Sequence, residues 1–301
     1  VTRRPAAASR RALRAWLIAA PVFLACSAVP EGGLGRSRGY VDVDLYGRYA
    51  EDLLHGRLPY RDVFVEYPPG AFAVLLPPAL VTDEHYRQLF KLLMAVVALV
   101  GLWCVARLLA AFGAGTGRLL LALGFVAISP LLLGSVWLNS YDAWPATLTV
   151  AALLALCTGY VALAFACLGL AVSAKIYALA LVVPAALYVV SRQGARALAR
   201  AAGGFVAAAL VTAMPFLAVS ADGVWSSVRS QLERGLHIES LGGSLLLAAD
   251  RLGLYDATVG EGATGAKSRD LVGGAPHLIA VLSAVLLTAA IVTVWMLFAR
   301  D

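Results

Sequence analysis

Charge is the scarcest property of this 301-residue chain: 14% of its residues are charged and 61% are hydrophobic, where soluble domains carry about 25% charged residues. A soluble α/β protein this apolar would need short strand-like runs with frequent polar breaks, and the chain lacks them. Cysteine is sparse too. Cys26, Cys104, Cys157 and Cys167 all lie inside apolar blocks at no metal-type spacing, which argues for buried structural thiols. His55, His85 and His277 are far apart, so no metal site follows from them. The net charge of +6 comes without a basic stripe interleaved with aromatics, which excludes a nucleic-acid partner. The arginines cluster instead at the ends of apolar blocks, a topology signal.

What the chain has is a series of apolar blocks of roughly 15 to 25 residues, the length a helix needs to cross about 30 Å of hydrocarbon. They define an all-α, polytopic transmembrane bundle and a single integral membrane domain over residues 1–301. The expected spans are Ala12–Val29, Gln88–Ala110, Arg118–Val136, Ala143–Cys157, Tyr160–Ser173, Ile176–Val190, Ala201–Val219 and Pro276–Phe298. The N-terminal arginines before the first block resemble a signal peptide, but further spans follow, so an uncleaved first helix is expected. Residues 30–87 and 220–275 form two large external loops. Within the first, Pro69–Val81 reaches only about 20 Å at about 1.5 Å per residue, and Pro77-Pro78 should break it. That segment is expected to lie in the interface or re-enter the membrane. Asp256–Gly274, rich in Gly and Thr, reads as a mobile external loop.

Tyr160–Val190 can be one long helix with Lys175 at its centre or two helices meeting at Ser173-Ala174-Lys175. Charge parity favours two. Arg107, Arg118, Arg192, Arg196, Arg200 and Arg300 then share the cytoplasmic side with the N-terminal arginines, giving eight spans and a cytoplasmic N-terminus in a plasma membrane protein. Of the 18 acidic residues, every one except Asp301 then falls on the external side or at its boundary. Carboxylate chemistry is expected outside.

In the first loop, Leu45, Tyr49, Leu53 and Leu54 recur at helical spacing, and Gly56 is a natural stop. This predicts an amphipathic helix on the membrane surface with Asp42 and Asp44 at its N-terminus. Carboxylates there are favoured by the helix dipole, so simple capping is the plain alternative to chemistry.

The order Asp42…Tyr46…Gly56…Pro59-Tyr60…Glu66-Tyr67-Pro68-Pro69 resembles the first loop of glycosyltransferase family 87, within the GT-C superfamily of polyprenyl-phosphate-sugar-dependent transferases. Tyr141-Asp142, Lys175-Ile176-Tyr177 and the run from Arg234 through His237 and Glu239 to Ser240 and Leu241 extend the resemblance over roughly residues 12–245. Family members continue beyond the point where this chain stops, so the resemblance implies a C-terminally short member. It also implies a GT-C-like fold and an inverting transferase with its active site on the external face. The donor would be a polyprenyl-phosphate sugar, with mannose the expected sugar. The acceptor would be a lipid-linked or cell-envelope glycan. No cofactor is implied beyond the lipid-linked co-substrate, and a divalent metal is left open.

Chemistry points the same way. A sugar 1-phosphate already has a good leaving group, so the task left is activation of the acceptor hydroxyl, for which one external carboxylate suffices. A glycosidase needs two opposed carboxyls. The resemblance makes Asp42 the base, with Asp44 second. Lys175 and Arg234 are the expected phosphate cations, with membrane snorkelling the alternative for Lys175 and pairing to Glu233 or Glu239 the alternative for Arg234. Tyr46, Tyr60, Arg61, Glu66, Tyr67, Asp142, Tyr177, His237, Glu239 and Ser240 complete the expected substrate-binding set, although Asp142 could equally cap the next span. A transporter or flippase would place ionisable groups at mid-span, and here the spans are nearly free of acids. A catalytically inactive paralogue is the other competitor.

Overall fold

The computed structural model describes residues 5–31, 42–134, 136–261 and 269–300. Arg3, Arg4, part of the first external loop (32–41) and the centre of the Asp256–Gly274 segment lie outside the described residues. The chain is a predominantly helical integral membrane protein: among the described residues, six helices are long and apolar enough to cross a bilayer. Contacts divide it into two compact units, residues 1–63 with 68–219, and residues 64–67 with 220–301.

The first unit begins with α1 (Pro5–Glu31) and the amphipathic α2 (Asp42–Leu54), followed by α3 (Phe72–Val81) and α4 (Tyr86–Ala111). It continues through α5 (Thr116–Leu133), the short α6 (Val136–Asn139), α7 (Ala143–Cys157), α8 (Val161–Ala174), α9 (Val182–Gln193) and the first part of α10 (Ala195–Leu232). Small residues let these helices approach closely, the usual means of association where lipid removes the hydrophobic drive. Ala12, Ala15, Ala19 and Phe23 of α1 pack on Leu102 and Ala106 of α4 and on Leu119, Leu123 and Ala127 of α5. A second core joins Ala152, Phe165, Leu168, Val189 and Ala201 from α7 to α10.

The helix break between α8 and the 3-10 turn Ile176–Leu181 falls at Lys175, whose φ of −157° and ψ of 125° are extended. This is the two-helix reading of Tyr160–Val190. Of the eight expected spans, six coincide with helices of spanning length, while α7 and α8 have 15 and 14 residues. The expected break at Pro77-Pro78 does not occur. A 3-10 turn at Pro69–Ala71 leads into α3, which runs through both prolines to Val81 and stops at extended Thr82. Gly56 ends α2 as expected, with φ of +82°, where a residue without Cβ is unstrained. The buried stripe of α2 is Val43, Tyr46, Tyr49 and Ala50, one step round from the expected leucines, and Leu54 is exposed.

The second unit contains Phe64–Tyr67, the remainder of α10, α11 (Leu241–Arg251) and α12 (Gly274–Arg300). Ser220, with non-helical φ of −158° and ψ of 87°, divides α10 where the units divide. The segment expected to be a mobile loop holds two strands instead. β1 (Leu236–His237), β2 (Thr258–Glu261) and β3 (Arg269–Val272) form an antiparallel sheet in the order β1-β3-β2. Its register sets Leu236 against Leu271, and His237 and Gly260 against Asp270. Leu236 and Leu271 are buried on one face, which puts His237 and Asp270 together on the other. The strands are short and carry glycine and charge, so no strand periodicity announces them in the sequence.

Candidate active site

In the first unit, polar residues from three separate stretches meet around Tyr141. α2 supplies Asp42 and Tyr46, the start of α7 supplies Tyr141 and Asp142, and the helix break supplies Lys175. The Tyr46 hydroxyl donates to Asp42 Oδ2 at 3.4 Å, and its ring meets Tyr141 edge-on at 5.7 Å between centroids. The Tyr141 hydroxyl donates to the carbonyl of Ala174 at 3.1 Å, satisfying a group at the end of α8. Lys175 Nζ lies 5.5 Å from the Tyr141 ring centroid and ion-pairs with Asp142 Oδ1. The other Asp142 oxygen accepts from Ser140 Oγ at 2.9 Å. Asp142 therefore does not cap α7, and no side-chain cap bond is made there. Tyr177 follows in the 3-10 turn and is half exposed.

The two aspartates of α2 differ in their surroundings. Arg87 of α4 reaches Asp44 Oδ1 with Nη2 at 2.6 Å. Tyr46 packs on Phe90, also of α4, at 5.3 Å, and a Cβ on Gly47 would lie 3.2 Å from the Tyr86 ring. The first turn of α4 is thus the platform on which α2 rests. Arg87 was not expected from the sequence; its only signal is a cation at the membrane end of a span.

Tyr60 is the one non-glycine residue with positive φ, +68°, among the described residues. Such a backbone costs on the order of 1–3 kcal/mol and persists only where the surroundings fix it. Here Phe216 at 5.3 Å and Phe72 at 6.2 Å clamp the buried ring, and burial pushes its phenol pKa well up. Beside it opens a cavity of about 490 Å³ lined by Leu58, Pro59, Phe72, Pro215 and Phe216 among others, with Thr212 its polar residue. Arg61 sits away in an exposed pair with Asp62 at 2.9 Å. The Arg61 hydrogen bond, then the Leu58 amide, hold the Asp62 carboxyl below its ordinary range.

The second unit brings together Glu66 and Arg234. Glu66 is 5% exposed, and its Oε2 accepts from Arg234 Nη2 at 2.9 Å. Gln231 Nε2 donates to the Glu66 carbonyl at 2.7 Å, and Ser227 Oγ approaches the Tyr67 carbonyl at 3.5 Å. The partner of Arg234 is thus neither of those expected: Glu233 pairs with Arg229, and Glu239 lies 3.9 Å from His237 Nδ1. Ser240 caps α11, accepting from the Gly243 amide at 3.0 Å. Gln231 and Asp270 carried no motif that would have singled them out.

Polar side chains gathered from an amphipathic loop helix and from span ends thus meet on a helical membrane scaffold. Residues 64–301 match the sequence model of glycosyltransferase family 87, and the chain belongs to that family. The match takes in Glu66, Tyr141-Asp142, Lys175 and the Arg234–Ser240 run and extends past residue 245, while Asp42 to Arg61 precede it. Neither the curated proteins nor the solved structures include a match to the chain.

Proposed function

We propose that this membrane glycosyltransferase takes mannose from a polyprenyl phosphate carrier on the external face. It passes the sugar, with inversion, to a hydroxyl of a lipid-linked or cell-envelope glycan. Asp42 is the general base and Lys175 holds the donor phosphate.

The observation that carries this reading is the grouping of Asp42, Tyr46, Tyr141, Asp142 and Lys175, in which the edge-on Tyr46–Tyr141 pair links a carboxylate at Tyr46 to a cation at Tyr141. The acceptor hydroxyl gives its proton to Asp42 while its oxygen bonds to the anomeric carbon. The bond from that carbon to the phosphate oxygen breaks on the opposite face, and the charge that develops on polyprenyl phosphate is met by Lys175. The Tyr46 hydroxyl, 3.4 Å from Asp42 Oδ2, orients the base.

Lys175 suits the phosphate better than Arg234 does. Its pair with Asp142 is exposed, 40% and 55% for the two side chains, so an anion can exchange into it at small cost. Arg234 is committed to Glu66, whose side chain is 7% exposed, and drawing it away would leave a buried carboxylate unpaired. The apolar cavity beside Tyr60 supports a lipid-borne donor. The test is incubation of the purified chain with a panel of polyprenyl-phosphate sugars and of nucleotide sugars, following release of the carrier. Release of polyprenyl phosphate from the mannose-linked donor is expected. Turnover of nucleotide sugars alone overturns the reading.

A further inference from the structure

Asp42 can serve as a base only while α2 is held in place, because it is the first residue of that short helix. α2 has 13 residues, and a helix of about 12–15 residues is marginal on its own. The hydrogen bond from Tyr46 to Asp42 lies within α2. It ties the carboxylate to the helix and not the helix to the bundle.

The start of α4 supplies that second tie through two neighbouring residues. The Tyr86 ring is buried, and its hydroxyl donates to the Leu75 carbonyl of α3 at 2.9 Å. Its face stacks on Phe90 at 6.1 Å between centroids. Held on two sides, the ring forms a fixed stop, and Gly47 of α2 comes so near that a Cβ would lie 3.2 Å from it. Arg87, next in the chain, reaches Asp44 Oδ1 at 2.6 Å. Both side chains of that pair are largely exposed, 47% and 40%, and such a pair adds little stability. Its effect is geometric. At about 100° per residue, Asp42 and Asp44 lie about 200° apart around the helix axis. Fastening Asp44 to α4 therefore turns Asp42 to the opposite side of α2, where Tyr46 meets Tyr141.

We propose that Tyr86 and Arg87 are positioning residues for glycosyl transfer: they fix the seating and rotation of α2, so that Asp42 and not Asp44 is presented to the substrate. This rests on the glycosyl-transfer reading with Asp42 as base. Arg87 acts by pairing, so its role survives exchange of the two charges.

The test combines steady-state kinetics on polyprenyl-phosphate mannose with hydrogen exchange over residues 43–54, both on the full chain in detergent. Arg87→Ala should lower kcat roughly tenfold or more, as expected when a reacting group is misplaced, with KM little changed. Exchange over 43–54 should quicken by up to about fivefold, the worth of one exposed pair. Arg87→Lys should recover part of both effects. Arg87→Asp, which sets two carboxylates together, should be worse than Arg87→Ala, and Asp44→Arg/Arg87→Asp should restore exchange and most of kcat. Wild-type kcat in Arg87→Ala overturns the proposal. So does a swapped variant as impaired as Arg87→Asp, because the charges would then act singly and not as a pair. Unchanged exchange in Arg87→Ala overturns it as well. If the wild type transfers no sugar while exchange still follows the pairing, the glycosyl-transfer reading falls and the tether on α2 stands.

Discussion

Replacing Gly70 with alanine should damage both stability and turnover, although Gly70 belongs to no catalytic group. It sits in the turn before α3, where a Cβ would lie 2.5 Å from the carbonyl carbon of Ser173 and 2.6 Å from the amide nitrogen of Ala174. Carbon contacts are at rest near 3.5–4.0 Å. The obstacle is backbone, which cannot rotate aside, so the turn and the end of α8 must part by about 1 Å. Overpacking of this kind costs typically 1–3 kcal/mol. The displaced residues belong to the candidate site: Ala174 accepts the Tyr141 hydroxyl, and Lys175 follows it. A shift of about 1 Å in groups that position a substrate costs on the order of 10²-fold in rate. Thermal unfolding in detergent and polyprenyl phosphate release measure the two effects side by side. Gly124→Ala in α5, with nothing within 4 Å of its Cβ, is the control and should change neither. Gly70→Ala with the stability and turnover of wild type would refute the close approach.

Asp42→Asn should lower transfer by about 10²–10⁴, the range for loss of a general base, with Asp44→Asn milder; equal rates for Asp42→Asn and wild type count against the base. Arg234→Ala should destabilise the fold by about 2–3 kcal/mol, below the 3–5 of a fully buried pair because Arg234 keeps some water, and Arg234→Lys should recover part of that. Unfolding midpoints for both variants decide it, and an unchanged midpoint for Arg234→Ala rejects the pairing with Glu66. Single cysteines placed at 192–200 should resist an impermeant maleimide in intact cells while cysteines at 52–62 react. Labelling at 192–200 reverses the topology.

Helix positions were legible because lipid-facing and packed positions are both apolar, and length alone then marks the elements. The break at Lys175 is legible in arginine parity, and the backbone is extended at that residue. The buried stripe of α2 was misplaced because Tyr46 is amphipathic: its ring is buried against Phe90 and Tyr141 while its hydroxyl faces Asp42. Pro77 and Pro78 did not end α3, because the remaining turns pack well: Val74, Leu75, Pro78 and Ala79 are all buried. Partner choice was the least legible feature. Arg234 and Glu66 are separated by 168 residues, and Arg87 and Asp44 by 43. Local spacing favours Glu233 or Glu239 for Arg234, and only the fold brings Glu66 nearer.

Tyr141 touches three elements at once. Its hydroxyl closes the end of α8, its ring lies beneath the Lys175 ammonium, and its edge meets Tyr46 of α2. If an anion that engages Lys175 shifts this ring, which also meets Tyr46 of α2, order in the loop helix is linked to occupancy at the helix break. Linkage is reciprocal. Whatever rigidity α2 gains when an anion engages Lys175, the anion gains the same free energy in affinity when α2 is already rigid. A ligand that only steadies α2 would then raise anion affinity at Lys175 without touching the anion.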